Sequence, residues 1–309
     1  MRRVSAALSI TVFSFSLLIA CGLKAATTSK SDIASEPATR IVTLSPHLAE
    51  LVFAVGAGET LVGVSAYSNF PQEVTALPQI GDAFLLDQEQ LLLLRPDMLL
   101  AWKSGTPART VTNLRERGYR VETVQTRSLD DIAVALQRIG GLTGHQEEAA
   151  LVAAEFKRDI EKLRVENTNV EAIRVFYQIA PRPLYTANDA HYVSEIIELC
   201  GGENIFSDLG ELAALVSEEA VIVRDPEVMI AGGIDGQDLA LAQWRRWPAM
   251  AANVLGNHFY VPADLLARPT PRLVKAATMI CELLDRARQN KVRLSGLSNG
   301  DGDSTGGLQ

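Results

Sequence analysis

The side chains of this 309-residue chain that could do chemistry are four scattered histidines and a set of aromatic and polar residues that follow apolar runs. The histidines, whose imidazoles could bind a metal or move a proton, are His47, His145, His191 and His258. Their spacing is not that of metal ligands, so a structural or surface role is expected for each. The chain also lacks a Gly-x-Ser-x-Gly nucleophile elbow and a P-loop. We therefore predict no catalytic centre, no metal site and no resident cofactor.

Aromatic and polar residues follow several of the apolar runs that are typical of strands. Tyr67, Trp102 and Tyr185 lie on such loops, and Asp264 and Arg268 follow the last run. Ligands of open α/β sheets bind beyond the carboxyl ends of the strands. Tyrosine and tryptophan offer a flat apolar face with one hydrogen-bonding edge, which suits a bulky and partly apolar ligand. The shared position of these residues favours a binding site over packing alone.

Short β-rich runs alternate with helical patterns, which predicts parallel strands joined by helices. The predicted strands are 41–44, 61–64, 98–101, 121–124, 175–178, 228–231 and 259–261. Residues 146–164 contain no Gly or Pro and are rich in Ala, Glu, Lys and Leu, which predicts one long helix. A last helix is predicted over 271–288. The predicted fold class is α/β, with an N-terminal lobe at 40–144, an interlobe helix at 145–166 and a C-terminal lobe at 172–288.

Two segments repeat one pattern 130 positions apart, 89–101 and 219–231. In each, a glutamate opens a short apolar helix, a proline stops it, and an acidic residue leads into an apolar strand. Asp87 and Ser217 are the natural N-caps of the two helices. We interpret the repeat as two related halves. The alternative is a common α/β connection that arises without duplication.

The N-terminus reads as an export signal over residues 1–20. Arg2 and Arg3 form a basic region, and an uncharged apolar stretch follows them. The stretch ends in Leu-Ile-Ala-Cys21, which resembles a bacterial lipoprotein box and implies lipidation of Cys21. The alternative is ordinary cleavage near Ala25. Residues 21–38 suit a tether, and residues 289–309 lack apolar periodicity and are predicted to be a disordered tail.

The net charge is acidic at −8, and removing the two arginines of the export signal makes it about −10. This balance argues against nucleic acid as a partner and against charge-driven binding to anionic membranes. Three cysteines are an awkward number for an exported protein. With Cys21 lipidated, Cys200 and Cys281 remain as one pair in an oxidising compartment. The alternative is two buried free thiols.

Taken together, these segments resemble the cobalamin-binding proteins of bacterial ABC importers, in the helical-backbone (class III) group of substrate-binding proteins. The likeness covers about residues 40–288, and Cys200-Gly-Gly-Glu-Asn-Ile-Phe206 with the later Cys281 matches the disulfide of that family. The other segments that carry it are 41–46, 62–71, 95–102 and Pro271-Arg272. The resemblance implies two Rossmann-like lobes, a stiff interlobe helix, a periplasmic location and a monomer.

The resemblance also implies a corrinoid held between the lobes. The matching ligand-side residues are Tyr67, Trp102, Tyr185, Phe84, Asp264 and Arg268. Three family tryptophans are absent, and Ala83, Ala213 and Leu265 stand near their positions. A thinner aromatic lining is compatible with a cobinamide-like or otherwise different ligand.

Glu89 and Glu219 match the two glutamates that meet arginines of the membrane permease in this family. The alternative is structural, because a carboxylate in the first turn of a helix is favoured by the helix dipole by about 0.3–1 kcal/mol.

Two other functions remain open. One is a heme or ferric-siderophore binding protein of the same class, for which His47, Tyr67 and His191 are the candidate axial ligands of heme. The other is an exported enzyme acting on a tetrapyrrole, in which only His47 or His191 could serve. We expect a binding protein and not an enzyme, facing the periplasm and anchored through Cys21.

Overall fold

The computed structural model describes residues 36–82, 84–233 and 240–300, with side chains up to residue 295. The predicted signal peptide, most of the tether, the lipidation site Cys21, Ala83 and residues 301–309 of the predicted tail lie outside these ranges. None of the helices in the described ranges combines the length and the apolar content that crossing a bilayer requires.

Four parallel strands form the sheet of the first lobe. They are β1 (Ile41–Thr43), β2 (Leu61–Gly63), β3 (Met98–Trp102) and β4 (Val121–Val124), in the order β2-β1-β3-β4. Its helices are α1 (Pro46–Ala54), α2 (Gln88–Leu94), α3 (Ala108–Glu116) and α4 (Leu129–Thr143). Ile41 and Met98 pack into one apolar core while Val42 and Leu99 pack into another. Both faces of the sheet are therefore covered, which explains why these strands read as continuous apolar runs.

A single long helix, α5 (Gln146–Glu166), connects the two lobes. Its buried residues recur every three or four positions and are Ala149, Ala153, Phe156, Ile160 and Leu163. The helix packs against α4 of the first lobe and against the C-terminal helix of the second. One apolar core runs from Ile41 of the first lobe through Phe156 of α5 to Val175 of the second lobe. The lobes thus share a core, as the predicted stiff connection requires.

The second lobe also has a four-stranded parallel sheet. Its strands are β5 (Ile173–Gln178), β8 (Gly202–Asn204), β10 (Val228–Gly233) and β11 (His258–Pro262), in the order β11-β10-β5-β8. An antiparallel sheet adds β6 (Ala180–Pro181), β7 (Leu184–Ala187) and β9 (Ala213–Leu215). The helices are α6 (Tyr192–Leu199), α7 (Glu218–Arg224), α8 (Ala251–Leu255), α9 (Ala263–Leu266) and α10 (Leu273–Gly300). The predicted α/β fold with two parallel-sheet lobes is confirmed.

The predicted tail is wrong over 289–300, because α10 continues through Gly300. Polar contacts hold the start of this extension. The Asn290 side chain donates to Asn257 Oδ1 at 2.8 Å. Lys291 Nζ lies 2.8 Å from Glu171 Oε1 and 3.0 Å from Glu227 Oε1. Polar side-chain contacts of this kind leave no apolar periodicity in the sequence, so the helix was predicted to end too early.

The two repeated segments share more than their order of elements. Asp87 and Ser217 each cap the following helix by accepting a backbone N–H three residues later. The residue after each helix is left-handed, with φ 46° at Arg95 and φ 41° at Asp225. A non-glycine residue in this region is uncommon. The same unusual conformation at both positions favours duplication over a chance resemblance.

The arginines at the starts of β1 and β5 also repeat, with Arg40 directly before β1 and Arg174 as the second residue of β5. Arg40 Nε donates to the Arg95 carbonyl at 3.1 Å, and Arg174 Nε donates to the Asp225 carbonyl at 3.3 Å. The backbone N–H of Arg40 donates to Asp97, which directly precedes β3. The backbone N–H of Arg174 donates to Glu227, which directly precedes β10. The halves therefore place α2 and α7 in equivalent frames.

Cys200 and Cys281 lie at disulfide distance, with the sulfur atoms 1.97 Å apart and the Cα atoms 4.8 Å apart. Cys200 is at the C-terminal end of α6, and Cys281 lies on α10. Both are buried, so the bond joins two helices inside the second lobe.

Candidate functional site

Loops at the carboxyl ends of the first sheet meet α6 and α9 of the second lobe. On one side, the backbone N–H of Tyr192 donates to the Arg127 carbonyl at 2.7 Å. The N–H of Leu129 donates to Glu195 Oε2 at 3.0 Å. On the other side, the Asn69 side chain donates to Asp264 Oδ2 at 3.1 Å. The loops that follow β2 and β4 thus lie at the boundary between the lobes, and Asp264 faces the first of them.

Two of the predicted aromatic contacts are open to solvent. Tyr67 is 78% exposed and has a left-handed backbone with φ 65°. Phe84 is 75% exposed, and its backbone N–H is held by the Asp82 carboxylate at 2.8 Å. Exposed aromatic rings of this size offer apolar area that a ligand can cover.

Trp102 is half-buried at the end of β3 and is braced from two sides. Its ring lies edge-on to His47 with centroids 5.0 Å apart. A Cβ at Gly105 would collide with the Trp102 ring, so only glycine leaves room for it. The indole is therefore held in one orientation at the carboxyl end of β3, and its buried Nε1 has no hydrogen-bond partner among the residues that the structure describes.

The structure places Tyr185 on a strand, so the prediction of a loop at this position was wrong. It pairs with Leu215 of β9 and with Ala180 of β6 in the small antiparallel sheet. Its side chain is half-buried. Ala213, which stands where a tryptophan was expected, lies exposed on β9 of the same sheet.

A polar cavity of about 660 Å³ opens between the lobes, and Lys103, which follows Trp102 in the chain, contributes to its wall. The first lobe contributes Lys103, Arg127 and Asp131 to its wall, and the second contributes Ala190 and Glu195. Burial raises the pKa of Glu195, and the Leu129 N–H opposes this with a smaller effect. The boundary thus has the exposed ring of Tyr67 at one place and a polar cavity beside Lys103 at another.

The two polar residues predicted to contact the ligand differ in accessibility. The Asp264 side chain is about half exposed, whereas the Arg268 side chain is 9% exposed. Arg268 donates to Glu50 Oε1, Asn69 Oδ1 and the Tyr67 carbonyl at 2.9, 2.6 and 2.9 Å. Its guanidinium is therefore committed to protein partners. The prediction overlooked Glu50, although one carboxylate in the apolar helix α1 was a usable signal.

The two histidines near the boundary are covered to different extents, and His191 is only half-buried. His47 is buried, with Nδ1 2.7 Å from Ser45 Oγ. Burial, helped by the charge of Arg268, lowers its pKa to about 3. His191 accepts the Val193 N–H at its Nδ1, and burial lowers its pKa to about 4. No group of three or more metal-ligand side chains occurs in the part of the chain that the structure describes.

We predict that stability falls with acid because of these two histidines. In the unfolded chain both histidines bind a proton below their ordinary pKa of 6.5. In the folded protein they stay neutral until the pH falls to their lowered pKa values, about 3 for His47 and about 4 for His191. Each histidine therefore removes up to about 1.4 kcal/mol of unfolding free energy per pH unit in that window. Urea denaturation at pH 6.5 and 4.5 should show a smaller loss for His47→Gln than for the parent. Equal losses would contradict the assignment.

Glu89 and Glu219 occupy equivalent, exposed positions in the first turns of α2 and α7. A hydrogen bond from its own backbone N–H, followed by a smaller effect of the Ser217 side chain, holds the pKa of Glu219 below its usual range. The carboxylate therefore stays ionised. One helical turn later, Leu93 is 70% exposed and Val223 is 84% exposed. Each lobe therefore presents a carboxylate beside an aliphatic side chain.

The fold and this boundary define a two-lobed binding protein. The family described as "Periplasmic binding protein" matches residues 41–264. The chain belongs to this family.

Several members of the family that are similar to this chain have a more specific description. A vitamin B12-binding protein of Vibrio cholerae serotype O1 is 34% identical over 257 residues, covering 82% of this chain and 91% of the relative. One from Pectobacterium carotovorum is 36% identical over 247 residues, covering 79% and 88%. The crystal structure of the periplasmic vitamin B12 binding protein BtuF of Vibrio cholerae has a TM-score of 0.73 at 34% identity, covering 82% of this chain and 98% of that chain. The heme-binding protein HutB of the same species has the same fold, with a TM-score of 0.67 at 23% identity, covering 80% and 98%.

Proposed function

We propose that this protein is the substrate-binding protein of an ABC importer and captures cobalamin or a related corrinoid between its lobes. The observation that carries this is the exposed ring of Tyr67 at the lobe boundary, with Trp102 one residue before the wall of the interlobe cavity, in a chain 34% identical to a vitamin B12-binding protein. A corrin ring is flat and largely apolar with polar edges. Aromatic faces and a few polar groups suit such a ligand.

The lining of this site supports a broad corrinoid specificity. Ala213 and Leu265 stand where larger aromatics were expected, and Ala83 precedes the exposed Phe84. Fewer rings leave less area to stack on the ligand. The proposed ligands therefore include cobinamide, which is smaller than cobalamin, with Tyr67, Trp102, Tyr185, Phe84 and Asp264 as contacts.

Titration of the purified protein with cobalamin, cobinamide and hemin tests this function. We expect saturable 1:1 binding of at least one corrinoid, followed by calorimetry and absorbance, and no conversion of the bound ligand. The matched variant Tyr67→Phe keeps the ring and should bind corrinoid within about threefold of the parent, because removing one partly solvated hydroxyl costs little. Turnover of ligand would contradict a binding protein.

Heme is the second candidate, and one observation keeps it open. Tyr67 is 78% exposed, whereas His47 is buried and the half-buried His191 uses its Nδ1 to accept the Val193 N–H, so Tyr67 is the most accessible axial donor of the three candidates. In the same titration, a heme-binding protein would show a Soret shift that Tyr67→Phe abolishes. Heme binding without corrinoid binding would replace the proposed ligand.

We also propose that α2 and α7 dock on the permease. Two equivalent carboxylate faces fit a partner with two copies of one basic site, which is what a symmetric dimer offers. Leu93 and Val223 supply apolar contact beside each charge.

The family places the protein in the periplasm. We further propose a monomer anchored through a lipid on Cys21. Mass spectrometry of the mature N-terminus distinguishes this from ordinary cleavage near Ala25, and light scattering checks the monomer.

A further inference from the structure

We infer that Glu50 and Arg268 form a positioning pair through which the second lobe sets the ligand-contacting loop of the first. The loop is residues 67–71, which begins at Tyr67. This inference rests on the proposed function, because it requires that Tyr67 contacts the ligand.

Glu50 is a buried carboxylate that binds only groups from the second lobe among the contacts the structure gives it. Its Oε1 accepts from Arg268 Nη1 at 2.9 Å and from Arg272 Nη1 at 3.1 Å. Its Oε2 accepts from Thr270 Oγ1 at 3.1 Å. A buried carboxylate is costly unless it is paired and hydrogen-bonded, and these partners satisfy both oxygens. Glu50 therefore fixes residues 268–272 against α1.

Arg268 extends this connection to the loop. Its Nη2 donates to the Tyr67 carbonyl at 2.9 Å, and its Nη1 donates to Asn69 Oδ1 at 2.6 Å. Asp264 closes the arrangement, because one carboxylate oxygen pairs with Arg268 at 3.3 Å and the other accepts from Asn69 at 3.1 Å. A side chain of the second lobe thus holds both the backbone and a side chain of this loop.

The conformation of Tyr67 gives this contact a specific purpose. Its φ of 65° is disfavoured for a residue with a Cβ. The hydrogen bond to its carbonyl favours that conformation, in which the ring is 78% exposed. Arg272 also contacts the loop, with its guanidinium 3.8 Å from the centroid of the Phe70 ring. The loop is therefore presented to the ligand by contacts from across the lobe boundary.

Arg268 accordingly acts through Tyr67 and not as an open ligand contact. With its side chain only 9% exposed and its terminal nitrogens engaged, its effect on the ligand is indirect. A purely structural ion cluster would change stability without a specific coupling to Tyr67. The two roles make different predictions for a double-mutant cycle.

The test is a cycle of Glu50→Gln and Tyr67→Ala, read as corrinoid affinity by calorimetry. We expect Glu50→Gln to weaken binding about tenfold in the parent, a coupling of ordinary size for groups in one network. In the Tyr67→Ala background, the same change should alter affinity less than about twofold, because the loop no longer presents the ring. Equal effects in both backgrounds, or no effect in the parent, would overturn the inference.

Two further variants separate positioning from stability. Glu227→Gln removes another buried carboxylate, which pairs with Lys291 and Arg174 away from the loop. It should lower the melting temperature without changing affinity. Asn69→Ala leaves no buried charge unpaired, so it keeps the test available if Glu50→Gln fails to fold, and it should show the same dependence on Tyr67. A parent that binds no corrinoid contradicts the proposed function, whereas a parent that binds with an additive cycle contradicts only this inference.

Discussion

Replacing Glu89 and Glu219 together with alanine is expected to abolish ligand uptake by cells while leaving the affinity of the purified protein for its ligand within about twofold. The two carboxylates are exposed and lie on α2 and α7, each in the first turn of its helix. They belong to the helices that precede β3 and β10, whereas Trp102 lies at the far end of β3. Docking and ligand binding are thus assigned to different surfaces.

The size of the effect follows from having two equivalent contacts. Losing one partner of a desolvated charge pair at an interface costs at least about 2 kcal/mol. Losing both should weaken docking by about a thousandfold. Each single variant should retain partial uptake, because the other lobe still presents its carboxylate. Raising the salt concentration should weaken docking of the parent more than that of the double variant.

A matched control removes two carboxylates from another first turn. Glu147→Ala with Glu148→Ala takes the same charge from the start of α5, outside the proposed docking faces. Uptake should remain normal in this variant. Equal loss of uptake in the control, or loss of ligand affinity in the docking variant, would contradict the assignment of Glu89 and Glu219 to the permease.

The sequence predicted seven of the eight strands in the two parallel sheets, because most of them are apolar runs with a clear end. Buried parallel strands give this signal. The eighth, β8, was missed because its sequence Gly-Glu-Asn is not apolar. The antiparallel sheet was missed because β6 spans only Ala180–Pro181 and contains a proline. Short strands of this kind carry no periodicity, so Tyr185 was predicted to lie on a loop.

The interlobe cluster could not be predicted from periodicity, since its members are far apart in the chain. Glu50 and Arg268 are separated by 218 positions. The sequence did draw attention to Asp264 and Arg268 as polar residues after the last strand, but it could not show that Arg268 faces a buried carboxylate. Tertiary pairing decided which of the two remains accessible to a ligand.

The two repeated segments, in contrast, share a backbone feature that their sequences do not predict. Arg95 and Asp225, the two left-handed residues, differ in type and charge, so an alignment of the two segments does not predict their shared conformation. Both residues have the same surroundings: a proline follows each of them and stops the helix, and an arginine donates to the carbonyl of each. The halves therefore agree in backbone geometry on the docking side, whereas β3 ends in Trp102 and β10 ends in Gly233.

Removal of the Cys200–Cys281 disulfide is expected to produce the largest loss of stability of any change considered. The two cysteines are 81 positions apart. In the chain-entropy model, closing a loop of this length contributes about 4–5 kcal/mol to the free energy of unfolding. We expect Cys200→Ala with Cys281→Ala to lose about that amount of unfolding free energy, as measured by urea denaturation.

Ligand affinity should survive in the fraction that remains folded. Cys200 lies at the C-terminal end of α6, whereas Tyr192 at its N-terminal end makes the contact with Arg127 at the lobe boundary. A reducing agent provides the matched control, because it should destabilise the parent and leave the double variant unchanged. A double variant within about 1 kcal/mol of the parent, or a parent indifferent to reduction, would show that the bond does not constrain the unfolded chain as the loop length requires.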